Sequence, residues 1–413
     1  MNETCDIAIV GGGAAGLMAA IAAAEGRTAK IAIIERMDRC GSKILISGGG
    51  RCNLSNRSLS ANDYFGGSRN FIRNVLASFG TKDTIRFFES LGVEITEEDE
   101  GRLFPRKGAH HLLAALLGRV GELGVQLVTG FFVEHITFTN GIYKIHGRSK
   151  SLSASRVVLA CGGSACPACG TDGSGFALAA SLGHSIIAPT PALVPIELNE
   201  PDLRKLAGIT IDAELVLRAG DVETANSRGS MLFTHGGISG PAALNISRHI
   251  ARSEAANPTL LLNSLPGRTL ETLSREIREW MRLHPKAEII TSFKKILPER
   301  FCTAVFRREG IDASKRLSNL SRDDIKNTAS AFTELSLSVK GVGEFKSAHA
   351  TAGGVALTEV RYQTMESRIS RGLYLAGEVL DVDGMTGGYN FQWAWSTGFI
   401  AGRASSAVFK KKC

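Results

Sequence analysis

The sequence predicts an α/β fold in which buried parallel strands alternate with helices and are interrupted by a β-rich and helical insertion. Three observations lead to this prediction. An apolar run near the start continues into glycines and alanines, "IAIVGGGAAGLMAAIAAAEG". Two later apolar runs, "RVVLACGG" and "GLYLAGE", also end at glycines. Short apolar runs that end at glycine are typical of strands buried on both faces of a parallel sheet.

The first run predicts a strand at Cys5–Val10, a turn at Gly11–Gly13 and a helix at Ala14–Ala24. Glycines at 11, 13 and 16 form G-x-G-x-x-G between strand and helix, the pattern that places a pyrophosphate at a helix N-terminus. A secretion signal is not expected, because the preceding MNETCD has two acidic residues and no basic one. The segment therefore predicts dinucleotide binding.

The following strand, Lys30–Ile34, ends at Glu35, nineteen residues after Gly16. An acid in this place accepts hydrogen bonds from ribose hydroxyls and repels a 2′-phosphate. The sequence thus favours FAD or NAD over NADP.

The segment "RMDRCGSKILISGGGRCNLSN" favours FAD over NAD. A simple NAD-binding domain would continue directly to another strand, whereas this one has a second glycine cluster at residues 48–50. Polar side chains flank the cluster: Lys43, Ser47, Arg51 and Asn53. Such a segment suits a bulky cofactor extended across the domain, with side chains reaching its phosphates and flavin ring. The alternative is a glycine-rich surface loop.

The C-terminal unit Gly372–Gly402 predicts a strand, an acid, a glycine turn and a helix. This order would bring Glu378 to the ribityl chain of a flavin and the amides of Gly388–Asn390 to its pyrimidine edge. The helix N-terminus would stabilise negative charge on a reduced flavin.

The middle of the chain has a different pattern. Apolar residues alternate at positions 209–217, the period of a half-buried strand, whereas residues 270–333 have a helical period. We predict a first domain part at 1–190, an insertion at 191–344 and a last part at 345–413. The insertion is expected to be β-rich at 191–265 and 334–344 and helical at 266–333. The segment "THGGISGPAAL" predicts a structural turn at a domain junction; the alternative, a second phosphate loop for NAD(P)H, lacks the G-x-G-x-x-G form.

Composition limits the other possibilities. The formal net charge of +8 is spread along the chain among acidic residues, and no RNA-binding signature is present, so we expect no nucleic-acid partner. No stretch has the roughly 20 apolar residues of a membrane span. Eight cysteines in 413 residues predict free thiols in a reducing compartment, hence a cytoplasmic protein. The oligomeric state is left open.

Together these motifs resemble the NAD(P)/FAD-dependent oxidoreductases that include bacterial aminoacetone oxidases and a flavoprotein implicated in bile-acid reduction. Matching stretches such as "GSKILISGGGRCNLSN", "LFTHGGISGPAALNIS" and "TGGYNFQWAWSTG" extend from one end of the chain to the other. The resemblance implies a glutathione-reductase-like FAD-binding Rossmann domain interrupted by an inserted β-barrel-like module with a small helical subdomain. It also implies non-covalent FAD, with NAD(P)H as one candidate electron donor.

The resemblance implies cofactor-binding roles for a set of residues spread over the chain. They are Gly11, Gly13, Ala15, Gly16, Glu35, Arg36, Lys43, Ser47, Gly49, Gly50, Arg51, Asn53, Val133, Cys161, Gly162, Gly377, Glu378, Gly388, Tyr389 and Asn390. The chain departs from the family pattern in "CPACGTDGSGF", where Asp172 and Ser174 replace the usual Thr and Asp, and in "GRLFPRKGAHH", which lacks the usual Ser after Phe-Pro.

Catalytic side chains are less well defined. No metal-ligand cluster, Ser-His-Asp order or paired carboxylates are evident, so no metal is predicted. His349, beside "TAGGV", is the candidate for a proton-handling role, whereas His110 and His111 are expected to be structural. Cys166 and Cys169 form C-x-x-C; the alternative is a dithiol relay to the cofactor, but we predict a structural loop with two inert thiols that turnover does not need.

The expected function is transfer of a hydride between a small organic substrate and flavin N5. Two modes stay open, an oxidase and an NAD(P)H-dependent reductase. The alternatives are a flavin-dependent RNA-modifying or RNA-binding protein and an FAD-holding regulator without turnover.

Overall fold

The computed structural model describes residues 2–26, 28–253 and 259–409. The chain divides into two compact units, one of Met1–Thr190 with His349–Cys413 and one of Pro191–Ala348. The strands are β1 (Asn2–Val10), β2 (Ile31–Ile34), β3 (Ser55–Asn56), β4 (Tyr64–Phe65), β5 (Ile95–Glu98), β6 (Arg102–Pro105), β7 (Gln126–Val128), β8 (Val133–Thr139), β9 (Ile142–Gly147), β10 (Ser151–Leu159), β11 (Ile186–Ala192), β12 (Ile196–Leu198), β13 (Thr210–Ala219), β14 (Val222–Phe233), β15 (Gly237–Ser239), β16 (Thr259–Asn263), β17 (Leu335–Leu337), β18 (Val339–Val342), β19 (Ala350–Val355), β20 (Leu373–Leu375) and β21 (Asp383–Gly384). The helices are α1 (Ala14–Ala24), α2 (Ser42–Gly50), α3 (Arg69–Ser78), α4 (Thr81–Ser90), α5 (Gly108–Glu122), α6 (Ser174–Ser181), α7 (Pro201–Arg204), α8 (Pro241–Ala251), α9 (Leu270–Leu283), α10 (Ile289–Phe293), α11 (Glu299–Arg308), α12 (Arg322–Thr333) and α13 (Tyr389–Ser405).

A parallel sheet forms the centre of the first unit. Its strand order is β7-β2-β1-β10-β20, and the β8–β9 hairpin adds antiparallel to the first half of β10. The register pairs Ile7 with Ile31 and Val10 with Leu159, so the carboxyl ends of β1, β2 and β10 meet at one edge. Ligands of open α/β sheets bind at this edge.

Small residues let α13 lie directly on α1. A Cβ on Gly398 would come within 2.4 Å of the Ala15 carbonyl oxygen, and one on Gly402 within 2.2 Å of the Ala19 carbonyl oxygen. The alanine-rich composition of α1 therefore reflects burial against the sheet and against a second helix. Its buried face includes Leu17, Met18 and Ile21.

The second unit is built on a seven-stranded sheet in the order β17-β16-β13-β14-β15-β12-β18. Residues 211, 213, 215 and 217 of β13 are buried, as the alternation in the sequence predicted. The two end strands of the sheet, β17 and β18, are consecutive in the chain and joined through Ser338. The sheet therefore curls until its first and last strands are neighbours.

Helices α9 to α12 cover the aromatic part of this unit's core. Phe293 stacks on Phe332 with ring centroids 4.1 Å apart. Ser321 caps α12 by accepting a hydrogen bond from the Asp324 backbone N–H, while the Asp324 carboxylate accepts one from the Ser321 N–H. This capping box explains why a helix begins at that point of the sequence.

Two sequence predictions need correction in this unit. "THGGISGPAAL" does not mark a junction, because residues 234–244 lie inside the second unit, where β15 turns into α8 at Gly240. The segment predicted to be β-rich also contains the helices α7 and α8, each of which begins at a proline that fits the first helical turn. Among the described residues, no helix is both long and apolar enough to cross a membrane.

Candidate functional site

The glycine turn after β1 has one crowded side and one open side. Gly11 has φ +109°, and a Cβ there would lie 2.3 Å from the Ala160 carbonyl oxygen; one on Gly16 would lie 1.8 Å from the Gly11 carbonyl oxygen. A Cβ on Gly13, in contrast, would meet no described atom within 4 Å. Gly13 is the N-cap of α1, and no described side chain caps this helix. Free N–H groups and open space at a helix N-terminus suit a phosphate.

Glu35 lies beside this turn at the end of β2. Its side chain is buried, with one oxygen accepting a hydrogen bond from the Gly12 N–H at 2.7 Å and the other from the Met37 N–H at 2.8 Å. Each carboxylate oxygen retains a second acceptor position. The protein backbone thus fixes Glu35 without using its full hydrogen-bonding capacity.

Lys43 and Glu378 form a half-buried ion pair that joins two distant segments. Lys43 Nζ lies 2.7 Å from Glu378 Oε2, with 28% and 18% of the two side chains exposed. The other carboxylate oxygen of Glu378 accepts a hydrogen bond from the Thr351 N–H at 2.8 Å. The acid after β20 is therefore held from α2 and from β19 at once.

Thr351 is a residue that sequence reasoning missed. It is fully buried, and its hydroxyl accepts hydrogen bonds from the N–H groups of Ser164 at 2.8 Å and Ala165 at 3.0 Å. A Cβ on Gly163 would lie 2.4 Å from the same hydroxyl. The only signal was its place before the glycine pair of "TAGGV". One oxygen of the buried Asp381 carboxylate, also not singled out, lacks a hydrogen-bond partner among the described residues.

The second glycine cluster ends α2 in left-handed backbone. Gly48, Gly49 and Gly50 have φ of 56°, 67° and 85°, and a Cβ on Gly49 would meet no described atom within 4 Å. Ser47 leaves the helical conformation with ψ 148° and donates its hydroxyl hydrogen to the Ile44 carbonyl oxygen. This part of the site is solvent-facing backbone, because residues 48–50 are exposed.

Asn53 connects that segment to the N-terminus of α13. In the orientation that satisfies its amide, Nδ2 donates to the Ser55 carbonyl oxygen and Oδ1 accepts from the Gly388 N–H, both at 3.2 Å. Gly388 has φ +100°, and a Cβ there would lie 2.4 Å from the Ser55 carbonyl oxygen. Thus "SGGGRCN" and "TGGYN", far apart in sequence, meet through Asn53 and Gly388.

The first residues of α13 differ in how they are held. Tyr389 is half-buried, and desolvation, followed by the charges of Asp63 and Glu100, raises its pKa to about 12. Asn390 uses its amide on Gly384, accepting from that N–H and donating to that carbonyl oxygen, both at 2.9 Å. The Asn390 side chain is therefore occupied within the protein.

Arg36 and Arg51 point to different neighbours. Arg36 forms an ion pair with Asp172 at 2.7 Å and lies over the Phe132 ring at 4.9 Å. Asp172, a departure from the family pattern, therefore has a partner in this chain. Arg51 instead lies over the Phe104 ring at 4.3 Å and pairs with the surface residue Glu98 at 2.7 Å.

Several other predicted residues lie on the strands and turns of the same sheet. Val133 is buried at the start of β8. Cys161 Sγ contacts the Val10 carbonyl oxygen at 3.4 Å, and desolvation raises its pKa to about 12. Gly162 and Gly377 both have left-handed φ, 77° and 78°. The Gly377 N–H donates to the Thr397 hydroxyl of α13 at 2.9 Å.

His349, the proposed proton carrier, is an exposed residue directly before β19. Desolvation by neighbouring protein atoms, followed by the positive charge of Lys43, lowers its pKa below 6.5. Its imidazole is therefore neutral at pH 7. No group of His, Cys, Asp and Glu that could hold a metal ion occurs among the described residues.

Known proteins resemble this chain over nearly its whole length. The sequence model of the family described as HI0933-like protein Rossmann domain matches residues 5–404. A 3-dehydro-bile acid delta(4,6)-reductase of Clostridium scindens is 37% identical over 408 residues, which cover 97% of this chain and 98% of that protein. A ribosomal RNA dihydrouridine synthase of Escherichia coli is 31% identical over 399 residues, 96% of either chain.

A solved structure shares the fold. The structure of a quinol-fumarate reductase with menaquinol molecules has a TM-score of 0.51 and 18% identity, with 100% of this chain and 72% of that chain covered. These findings confirm the family resemblance and the Rossmann-type fold that the sequence predicted.

Proposed function

Since the chain belongs to the HI0933-like Rossmann-domain family and is a flavin-dependent oxidoreductase, we propose that it reduces a carbon–carbon double bond conjugated with a carbonyl group. The observation that carries this proposal is the reaction shared by two full-length relatives. A 3-dehydro-bile acid delta(4,6)-reductase and a dihydrouridine synthase both add two hydrogens across a C=C bond that is conjugated with a carbonyl. Their substrates differ greatly in size, whereas the reacting group is the same.

The residues at the sheet edge fit non-covalent FAD. The open face of Gly13 and the uncapped N-terminus of α1 suit its pyrophosphate, and Glu35 has acceptor positions left for ribose hydroxyls. We assign Glu378 to the ribityl chain and the open backbone at Gly49 to the flavin end. Among the predicted residues, Asn390 would contribute its backbone N–H, because Gly384 occupies its side chain.

When bound, FAD would supply the hydride. The chain's own contribution would be electrostatic: the N-terminus of α13 would stabilise negative charge on a reduced flavin, whereas the charge of Lys43 is already compensated by Glu378. His349 is the group we assign to proton delivery, since it is exposed and lies two residues from Thr351, which holds Glu378. When the substrate is reduced, only the protonated imidazole of His349 donates a proton efficiently.

We assign NAD(P)H as the electron donor and the cytoplasm as the compartment. G-x-G-x-x-G occurs only once in the sequence, so NAD(P)H would reach the flavin transiently without a nicotinamide-binding domain of its own. Eight cysteines without a disulfide-rich pattern suit a reducing compartment.

The test is an anaerobic half-reaction series on the purified yellow protein. Acid precipitation should first release FAD into the supernatant. NADH or NADPH should bleach the bound flavin, and a 3-oxo-Δ4 steroid should then restore its colour without oxygen. Bleaching by primary amines alone, with recovery only in oxygen, would identify an oxidase and reject the reductase proposal.

A second candidate function is reduction of uridine within ribosomal RNA, favoured by a row of arginines on α9. Arg275, Arg278 and Arg282 are exposed at i, i+3 and i+7, opposite the buried Leu273 and Ile277. None of the three forms an ion pair with a carboxylate in the described part of the chain. A stripe of unpaired guanidinium groups is suited to phosphates.

RNA binding separates the two candidates. The double reversal Arg275→Glu/Arg278→Glu should weaken binding of a ribosomal RNA fragment at least about tenfold. It should also reduce the salt slope by roughly 1.4, because each neutralised phosphate of a single strand accounts for about 0.7 of that slope. The matched control is Arg322→Glu/Lys326→Glu, an equal charge change on exposed residues of α12. Equal effects of both variants, or no salt-dependent binding, would remove RNA from consideration while leaving the flavin chemistry untouched.

A further inference from the structure

The loop that follows β10 holds two thiols in contact. Cys166 and Cys169 lie on either side of a single 3₁₀ turn, in which the Cys169 N–H donates to the Cys166 carbonyl oxygen at 2.9 Å. Because side chains at i and i+3 of such a turn lie on the same side, the two Sγ atoms come to 2.7 Å. Cys166 adopts φ +65°, a conformation that few residues other than glycine accept. The backbone is thus bent in the way that brings the sulfurs together.

The pair is accessible, unlike most of the other described cysteines. Cys166 and Cys169 are half-buried and separated by the exposed Pro167 and Ala168. Burial raises the pKa of Cys52 and Cys302 to about 12, which keeps these thiols protonated and unreactive. Cys40 is also buried, whereas Cys5 and Cys161 are partly exposed like the loop pair. A small oxidant can therefore reach the loop pair, in contrast to the buried thiols.

The pair lies near two positive charges in an anchored loop. Desolvation and the hydrogen bond with Cys166 raise the pKa of Cys169 to about 12, although the charges of Lys43 and Arg39 act in the opposite direction. The next residues of the loop are anchored, since Asp172 pairs with Arg36 and the Thr171 hydroxyl donates to the Cys166 carbonyl oxygen.

We propose that Cys166 and Cys169 are a redox-active dithiol that exchanges with small-molecule disulfides and closes to an intramolecular disulfide. One of the two, as thiolate, attacks one sulfur of the small disulfide and displaces the other half as a thiolate. The other protein thiol then gives up its proton and attacks the first cysteine's sulfur in the mixed disulfide, which forms the internal bond and releases the second half as a thiol. Overall the two protein thiols lose two protons and two electrons, and one small disulfide becomes two thiols.

The geometry makes this closure local. A disulfide bond is about 2.05 Å long, so the sulfurs need to approach by only a fraction of an ångström from 2.7 Å. The anchored residues on the C-terminal side of the pair need not move. We therefore expect closure without release of bound cofactor, and this inference does not depend on the proposed substrate.

The experiment uses the purified full-length protein with glutathione disulfide as the oxidant. After exposure, remaining thiols are alkylated and the peptide containing residues 166–169 is analysed by mass spectrometry. Wild type should carry no alkyl group on this peptide, be two hydrogens lighter than the reduced form, and regain both thiols with dithiothreitol. Titration with mixtures of reduced and oxidised glutathione should give one two-electron transition.

Single substitutions test the need for both thiols. Cys169→Ser should trap glutathione on Cys166, and Cys166→Ser should trap it on Cys169, each as a stable mixed disulfide. The matched control Cys302→Ser removes a buried thiol and should behave as wild type. Two alkylated thiols at 166 and 169 in treated wild type, or a cross-link to another cysteine, would overturn the proposal.

Discussion

Replacing Glu35 with alanine removes the carboxylate that we place against the ribose of FAD. In the structure that carboxylate is buried and bonded to the N–H groups of Gly12 and Met37 at 2.7 and 2.8 Å. The substitution therefore acts twice: it removes acceptors for the ribose, and it releases Gly12 in the turn that faces the pyrophosphate. Both effects weaken FAD binding.

The expected size follows from the hydrogen bonds that the substitution removes. Bonds to a charged acceptor contribute about 1.5–3 kcal/mol each, and the backbone bonds also exist in the apoprotein. The free energy of FAD binding that the substitution removes is therefore about 1–3 kcal/mol, which corresponds to a roughly 5- to 150-fold higher Kd for FAD. The loss of the backbone bonds appears separately, as a lower free energy of unfolding of the apoprotein.

The assay is titration of apoprotein with FAD, followed by quenching of flavin fluorescence, together with thermal unfolding of both apoproteins. Glu25→Ala is the matched control, because Glu25 follows α1 in the same strand–helix–strand unit but pairs with Arg119 at the surface. An unchanged Kd in Glu35→Ala would refute our placement of the ribose. A loss of apoprotein stability with unchanged Kd would leave Glu35 a purely structural residue of the turn.

Three further outcomes are expected. Cys166→Ser/Cys169→Ser should bind FAD and permit flavin reduction by its donor as wild type does, because we assign the pair to thiol exchange alone; loss of turnover with FAD bound would contradict this. His349→Gln should lower the rate of substrate reduction on the order of 10²-fold at pH values below the lowered pKa of His349. In wild type the rate of substrate reduction should fall as pH rises through the pKa of His349, which lies below 6.5, and His349→Gln should remove this dependence. Stopped-flow reoxidation of the flavin at a series of pH values measures this rate. Glu359 accepts hydrogen bonds from the Ser185 N–H and from the buried His184, both at 3.0 Å. Desolvation raises the pKa of Glu359, but the hydrogen bonds from Ser185, followed by that from His184, outweigh it and hold this pKa below 4.5. The contribution of ionised Glu359 to the free energy of unfolding is therefore complete above pH 4.5 and is lost as pH falls through the lower pKa of the folded state. Glu359→Gln should lower the free energy of unfolding in urea by about 1–2 kcal/mol at pH 7 and by progressively less in acid.

The parts of the fold that the sequence predicted are those with a local cause. The strand, turn and helix around Gly11 and Gly16 follow from a short motif, because each glycine is required by an atom at most a few residues away or on the adjoining strand. Helix α1 begins and ends at the predicted residues, Ala14 and Ala24. The alternation in β13 is equally local, because a strand with one buried face is recognised from the two-residue period of its own sequence.

What the sequence did not reveal depends on pairs that only folding brings together. Thr351 bonds to residues 164 and 165, nearly 190 positions earlier, and Arg36 pairs with Asp172. No spacing rule connects such positions. The glycines at 398 and 402 are likewise required by carbonyl oxygens of α1, which comes from the other end of the chain.

The Lys43–Glu378 pair shows why residue type alone does not assign a role at this site. Each residue was predicted to contact the cofactor independently, but the structure places them 2.7 Å apart. Removing either one leaves a half-buried charge without its partner, a penalty that arises with or without FAD. In the site that we propose, the cofactor would therefore be recognised by a carboxylate and an ammonium that already satisfy one another, as well as by free backbone N–H groups. A single substitution at either position then measures the loss of the pair as much as the loss of a flavin interaction, and only the double substitution compared with both singles separates the two.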